Sequence, residues 1–210
     1  MTTFPRRAAF TLTAGAFLLS LAACSREAQA PVDDTALAND VAGNTVAAND
    51  GMMAGNAAGG AAQSFTIADA SGKSLGSVAV GEGAGGLTLT VTASGMPAGA
   101  HGLHLHEAGR CDGTKFESAG KHWNPANKQH GRDNPQGAHL GDLANLDIDA
   151  SGAGTASLTV AGAAMASGTH PLADADGTSL VVHAKPDDYK TDPSGASGDR
   201  IACAVLAAPK

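Results

Sequence analysis

The stretch AHGLHLHEAGRC, residues 100–111, sets His104 and His106 one residue apart, with His101 and Cys111 close by. On a β-strand, side chains at i and i+2 share a face, so these two imidazoles could reach one object together. Either they hold a metal ion or they are two polar residues on a wet face, and an HxH pair alone does not decide. The chain has eight histidines, all beyond residue 100. His122 lies in AGKHWNP, His130 in NKQHGRD and His139 in GAHLGDL, while His183 ends SLVVHA. In HLGD, His139 and Asp142 flank a glycine that permits a sharp turn, so both could face one ion. Zinc accepts His nitrogen and Asp oxygen, with four ligands closing a structural site. Coordination by His nitrogens alone suits copper in a tetragonal arrangement. Seven candidate ligands, six His and one Asp, point to more than one metal, and the residues alone leave the metal open.

The elements that must position these side chains begin at residue 64. SFTIAD, SLGSVAV, GLTLTVTAS, HGLHLHE, ANLDIDASG, GTASLTVAG, TSLVVHA and RIACAVLA alternate or run in β-branched residues. Turn signals such as ASGK, GEGAGG, SGMPAG and DASGAG separate them. Eight short strands without helical periodicity predict an all-β antiparallel sandwich or barrel. Two long segments, roughly 107–138 and 184–199, interrupt them, and loops of that length in a compact domain carry function or lack order. Most of the histidines lie in or beside the first, and His183 borders the second.

Gly at 28 residues and 3% aromatic residues argue against a helical bundle. A formal charge of −7 offers no basic stripe for nucleic acid. Residues 1–23 read as an export signal: MTTFPRR supplies positive charge, and AAFTLTAGAFLLSLAA is an apolar run too short for a typical membrane span. LAAC, residues 21–24, resembles the lipobox of bacterial lipoproteins, which makes Cys24 the expected lipidation site and the cell envelope, on the periplasmic side, the expected location. Residues 24–63, rich in Ala, Gly, Asn and Asp, have too little apolar bulk to offset chain entropy and are expected to be a disordered tether. Export would take Cys111 and Cys203 to an oxidising compartment, where a disulfide persists.

GLHLHE, AGKHWNP, HLGDLANL, LVVHAKPDD and DRIACAV, in that order, resemble the copper/zinc superoxide dismutases over nearly all of residues 64–210. The resemblance implies an eight-stranded antiparallel Greek-key β-barrel or sandwich with two long functional loops. It implies copper held by His104, His106, His122 and His183, and zinc held by His122, His130, His139 and Asp142. His122 would then bridge the metals as an imidazolate. Cys111 and Cys203 match the family's intrachain disulfide, and Arg200 takes the place of its substrate-guiding arginine. Asp187 matches the carboxylate that links copper and zinc ligands through hydrogen bonds. His101 falls where the family has a buried structural His, whereas His170 is expected on an exposed loop and Trp123 in packing under the zinc loop.

The implied reaction is the dismutation of superoxide to oxygen and hydrogen peroxide, with His122 and Arg200 as its catalytic residues. The alternative is a non-enzymatic periplasmic copper- or zinc-handling lipoprotein on the same fold. Loss of a copper ligand or of the bridge would favour it, and none is missing. Residues 184–200 hold Lys185, Lys190 and Arg200 against Asp187, Asp188, Asp192 and Asp199, so sequence charge shows no positive funnel for the anion. The oligomeric state is left open between monomer and homodimer.

Overall fold

The computed structural model describes residues 62–210. The export signal, Cys24 and all but the end of the expected tether lie outside the described residues. β1 (Gln63–Ala68) opens the domain one residue earlier than the texture change at 64. It is followed by β2 (Ser74–Gly83) and β3 (Gly86–Ala93). The alternation in β3 is what a half-buried strand requires: Leu87, Leu89, Val91 and Ala93 are buried, while Thr88, Thr90 and Thr92 face out.

HGLHLHE, expected as one strand, is two. β4 (Gly99–His101) pairs with β6 (Leu146–Ile148), and β5 (Leu103–His106) pairs with β10 (Thr178–His183). At the break, the Gly102 amide donates to the Lys185 carbonyl and the His183 amide donates to the Gly102 carbonyl, both at 2.8 Å. One extended segment therefore belongs to two ladders. β7 (Gly154–Ala161) follows β6 through a turn closed by the Asp149 amide and the Ala153 carbonyl, and β11 (Arg200–Ala207) ends the sheet.

The main sheet is antiparallel, in the order β5-β10-β11-β1-β2-β3-β7. With the β4–β6 pair it makes the curled, all-β arrangement of a Greek-key barrel. Leu87, Leu89, Leu103, Leu105, Leu146 and Leu180 are fully buried in its interior. All eight expected strand segments form strands. Periodicity did not show β8 (Ala163–Ala164) and β9 (His170–Pro171), a parallel pair too short to carry a period. His170 is consequently half-buried, its ring edge-on to Trp123 at 6.5 Å, and not on an open loop.

Candidate metal centre

All four residues of β5 are buried, with Leu103 and Leu105 in the hydrophobic core and the histidines on the opposite face. β5 is the end strand of its sheet, and the first long loop covers that edge. The Trp123 amide donates to the Leu105 carbonyl (2.8 Å), the Leu105 amide to the Gly141 carbonyl (2.9 Å), and the Gly141 amide to the Trp123 carbonyl (3.0 Å). This lacing puts His122 opposite His106 and Asp142 opposite His104. A Cβ on Gly141 would run into the Leu105 carbonyl oxygen and the Trp123 backbone. The glycine of HLGD thus serves close approach, since its backbone does not take the left-handed conformation. Trp123, 4% exposed, packs in the hydrophobic core.

Two groups of ligand atoms converge, each within 4.8 Å: His104, His106, His122 and His183, and then His104, His122, His130 and Asp142. His139 joins the second group at the carboxylate, its Nδ1 3.1 Å from Asp142 Oδ1. His122 Nδ1 lies 3.1 Å from the same oxygen, and His130 Nδ1 lies 3.0 Å away without hydrogen-bond alignment. Three nitrogens crowd one oxygen at the separation of neighbouring ligands around tetrahedral zinc, roughly 3.3 Å for bonds near 2.0 Å. The rings of His104 and His122 stack at 3.9 Å, so the two groups are contiguous.

The hydrogen bonds assign the tautomers. Nδ1 of His106 donates to the Gly120 carbonyl (3.1 Å), and Nδ1 of His183 donates to the Gly198 carbonyl (3.2 Å). Nε2 of His104 and Nε2 of His130 donate to the two oxygens of Asp187, at 2.8 and 3.0 Å. What remains is a set of buried nitrogens with no hydrogen-bond partner among the described residues: His104 Nδ1, His106 Nε2, His122 Nε2, His183 Nε2 and His130 Nδ1. Orphaned buried polar atoms are rare in folded proteins and demand an explanation. Here a metal ion is the explanation, because each orphan is a lone pair aimed into one of the two groups. The donor set of four nitrogens fits copper, and that of three nitrogens and a carboxylate fits zinc.

Electrostatics agrees with this fit. Burial holds His122 down to about 4 and His183 to about 3, and it also lowers His104 and His106, so these nitrogens are unprotonated at neutral pH. Burial would lower His130 too, but Asp142 and Asp187 on either side raise it to about 9. Burial likewise opposes ionisation of Asp142, yet hydrogen bonds from His122, His139 and the Gly131 amide, with His130 close by, hold its carboxyl far below the usual range. The pocket around His130 therefore attracts positive charge, which suits a divalent cation as well as a proton.

The remaining expected residues meet around the same centre. Asp187 is buried and ties His104 to His130, and the Cys111–Cys203 disulfide is formed. It fastens the start of the first long loop to β11. His101 is buried between the carbonyls of His183 (2.7 Å) and Pro97 (2.9 Å), a structural position. Arg200 is held by two carbonyls of the first loop: Nη1 donates to Phe116 and Nη2 to Gly120, both at 2.6 Å. It lines a cavity of about 650 Å³ with His122 and His183. The rim of that cavity carries Lys121 and Lys128.

Those lysines come from the first loop, where a charge count on residues 184–200 does not look. The rim carboxylates of Glu107 and Asp192 each accept a backbone amide, from Lys121 and His130 respectively. Sequence reasoning also passed over Asn145, whose side chain makes two hydrogen bonds to the Asp187 backbone, at 2.8 and 3.0 Å. Its place three residues after Asp142 is the only signal the sequence holds for it.

The family model described as copper/zinc superoxide dismutase matches residues 74–206. A superoxide dismutase [Cu-Zn] of Caulobacter vibrioides is 43% identical over 138 residues, which span 64% of this chain and 79% of that protein. Superoxide dismutase [Cu-Zn] 1 of Aquifex aeolicus is 37% identical over 142 residues, 67% of this chain and 84% of that one. The crystal structure of a SOD-like protein from Bacillus subtilis superposes with a TM-score of 0.67 at 35% identity, covering 70% of this chain and 99% of that one. With two contiguous groups of histidine and aspartate ligands on a curled antiparallel sheet, this chain belongs to the copper/zinc superoxide dismutase family.

Proposed function

We propose that the chain dismutates superoxide in the cell envelope, with His104, His106, His122 and His183 holding copper and His122, His130, His139 and Asp142 holding zinc. Family membership makes superoxide the substrate and copper and zinc the metals. The single observation that carries the ligand assignment is the set of five orphaned, buried imidazole nitrogens. When bound, copper supplies a reversible one-electron change, so that one superoxide is oxidised to oxygen and the next is reduced to hydrogen peroxide, while zinc contributes charge without redox chemistry.

The chain's own residues do the rest. Arg200 presents its guanidinium to the cavity as a fixed charge, locked in place by the Phe116 and Gly120 carbonyls, and binds the anion. His122 is the shared residue: Nε2 faces the copper group and Nδ1 faces Asp142. In the reductive half of the cycle Nε2 holds a proton and passes it to the reduced substrate, the second proton of hydrogen peroxide coming from solvent, while Nδ1 stays turned toward Asp142 and keeps the ring in place. Asp187 holds His104 and His130 in the tautomers that leave both Nδ1 atoms free.

Export and anchoring belong to the same reading. Residues 1–23 act as the signal, Cys24 receives lipid, and 24–63 tether the 64–210 domain on the periplasmic side. A disulfide between Cys111 and Cys203 suits that compartment. Membrane fractionation of the wild type and Cys24→Ser tests this, and an unchanged membrane share in the variant removes the anchor.

The test of function is the dismutation rate of the oxidised chain supplied with copper and zinc, beside His104→Ala, with metal content measured in both. A fast rate that disappears together with copper in the variant is expected. A slow wild type that retains both metals would overturn the catalytic assignment in favour of metal handling.

A further inference from the structure

Tyr189, the only tyrosine in the chain, sits in the second long loop with φ 62°, a left-handed backbone that a bulky aromatic rarely adopts. Four interactions meet on it. Its hydroxyl oxygen accepts the Asn145 amide at 2.8 Å, and its carbonyl accepts the Asp133 amide at 3.1 Å. Its own amide donates to Asp187 Oδ1 at 2.7 Å. The guanidinium carbon of Arg132 lies 3.9 Å from the centre of its ring, within range of a cation–π contact. Gly131, at φ 100°, lets the segment after His130 come this close, since a Cβ there would be driven into the Tyr189 carbonyl. Tyr189 thus joins the stretch that follows His130, the stretch that follows Asp142, and the loop that carries Asp187. Asn145 completes the circuit by clasping the Asp187 backbone from both sides.

We propose that Tyr189 is a positioning residue for the zinc side of the centre, which sets the Asp187 carboxylate against His130 by gripping Arg132 and Asn145. The proposal rests on the zinc ligand assignment above. Neither Tyr189 nor Arg132 is a ligand. They act through Asp187, which keeps His130 Nε2 protonated and Nδ1 turned toward Asp142. A local strain maintained by contacts from three segments is the signature of a conformation held for a purpose.

The test uses the full chain, disulfide-oxidised, stripped of metal and titrated with zinc in competition with a chromophoric chelator. Cobalt(II) in place of zinc reports ligand geometry through its visible bands. Tyr189→Phe keeps the ring beneath Arg132 and removes only the hydroxyl, while Arg132→Ala removes the cation. Each is expected to weaken zinc binding about tenfold, within the 10- to 100-fold range for partners of metal ligands, and to shift the cobalt bands. Arg132→Lys, which retains a cation, is expected to recover most of the affinity. In an Asp187→Asn background, Tyr189→Phe is expected to add no further loss, because its route is already cut. Wild-type affinity and unchanged bands in Tyr189→Phe would overturn the proposal. An undiminished further loss in the Asp187→Asn background would overturn it as well, by making Tyr189 a general brace. A wild-type chain that binds no zinc would instead sink the ligand assignment, so the two failures read differently.

Discussion

The carbonyl oxygen of Gly120 receives Nη2 of Arg200 at 2.6 Å, and the same oxygen accepts His106 Nδ1 at 3.1 Å. One peptide group in the first long loop therefore orients both Arg200, proposed to bind the anion, and His106, a proposed copper ligand. Arg200→Ala is expected to lower kcat/KM by roughly tenfold or more, toward the low end of what focused charge contributes, at unchanged metal content. Arg200→Lys is expected to fall between, since it keeps charge but loses the fork that two carbonyls hold. Metal analysis beside steady-state rates checks this, and a parallel loss of copper in Arg200→Ala would show a structural role instead.

Lys121 and Lys128 stand exposed on the rim of the cavity, with no carboxylate within ion-pair distance among the described residues. The described domain is otherwise acidic, so these two are expected to guide the anion over the last few ångströms. A Lys121→Glu, Lys128→Glu double variant is expected to react several-fold more slowly at low ionic strength, with a flatter or reversed dependence on salt. Identical salt profiles for the variant and the wild type would remove the rim from the mechanism.

The disulfide spans 92 residues of sequence and ends on β11 at Cys203, which packs in a small buried cluster with Phe116, Ala119 and Val181. Replacing Cys111 and Cys203 with Ser is expected to lower stability by about 2–5 kcal/mol. Activity should fall further than stability explains, because Phe116 and Gly120 lie in the segment that the disulfide fastens and both hold Arg200. Urea denaturation and the rate at saturating metal, measured together, separate the two effects.

The metal-free chain should show stability that falls on both sides of pH 6.5. His122 and His183, held by burial to about 4 and about 3, stay neutral in the folded state. The unfolded chain takes up their protons below pH 6.5, so each withdraws about 1.4 kcal/mol per pH unit as pH drops toward its folded value. His130 works the other way. Raised to about 9 by Asp142 and Asp187 against the effect of burial, it contributes stability that is complete below 6.5 and lost as pH climbs to 9. Zinc is expected to abolish the alkaline fall by taking the proton's place between the carboxylates. Urea midpoints from pH 4.5 to 9, with and without zinc, check this, and a flat metal-free profile would contradict it.

Much of the centre was legible in the sequence because metal chemistry restricts residue type. Six histidines and an aspartate are the candidate donors, five of the histidines and the aspartate falling in blocks that resemble the family and His130 in NKQHGRD between them, and strand periodicity puts His104 and His106 on one face. Alternation such as Leu87, Leu89 and Val91 against Thr88, Thr90 and Thr92 fixes a strand's inner side from local pattern alone. By contrast, a hydrogen bond to a backbone carbonyl leaves no mark on residue identity. The choice of free nitrogen on each imidazole depends on the carbonyls of Gly120 and Gly198 and on Asp187, which only the folded chain brings near. The same holds for the split of HGLHLHE at Gly102, for Gly141 as a point of close approach, and for the lysine rim. Ligand types and strand faces follow from local chemistry and period, so the sequence by itself determined them. Which atom of each ligand is free, and what surrounds it, arises from segments far apart in the chain, and only the tertiary structure decided it.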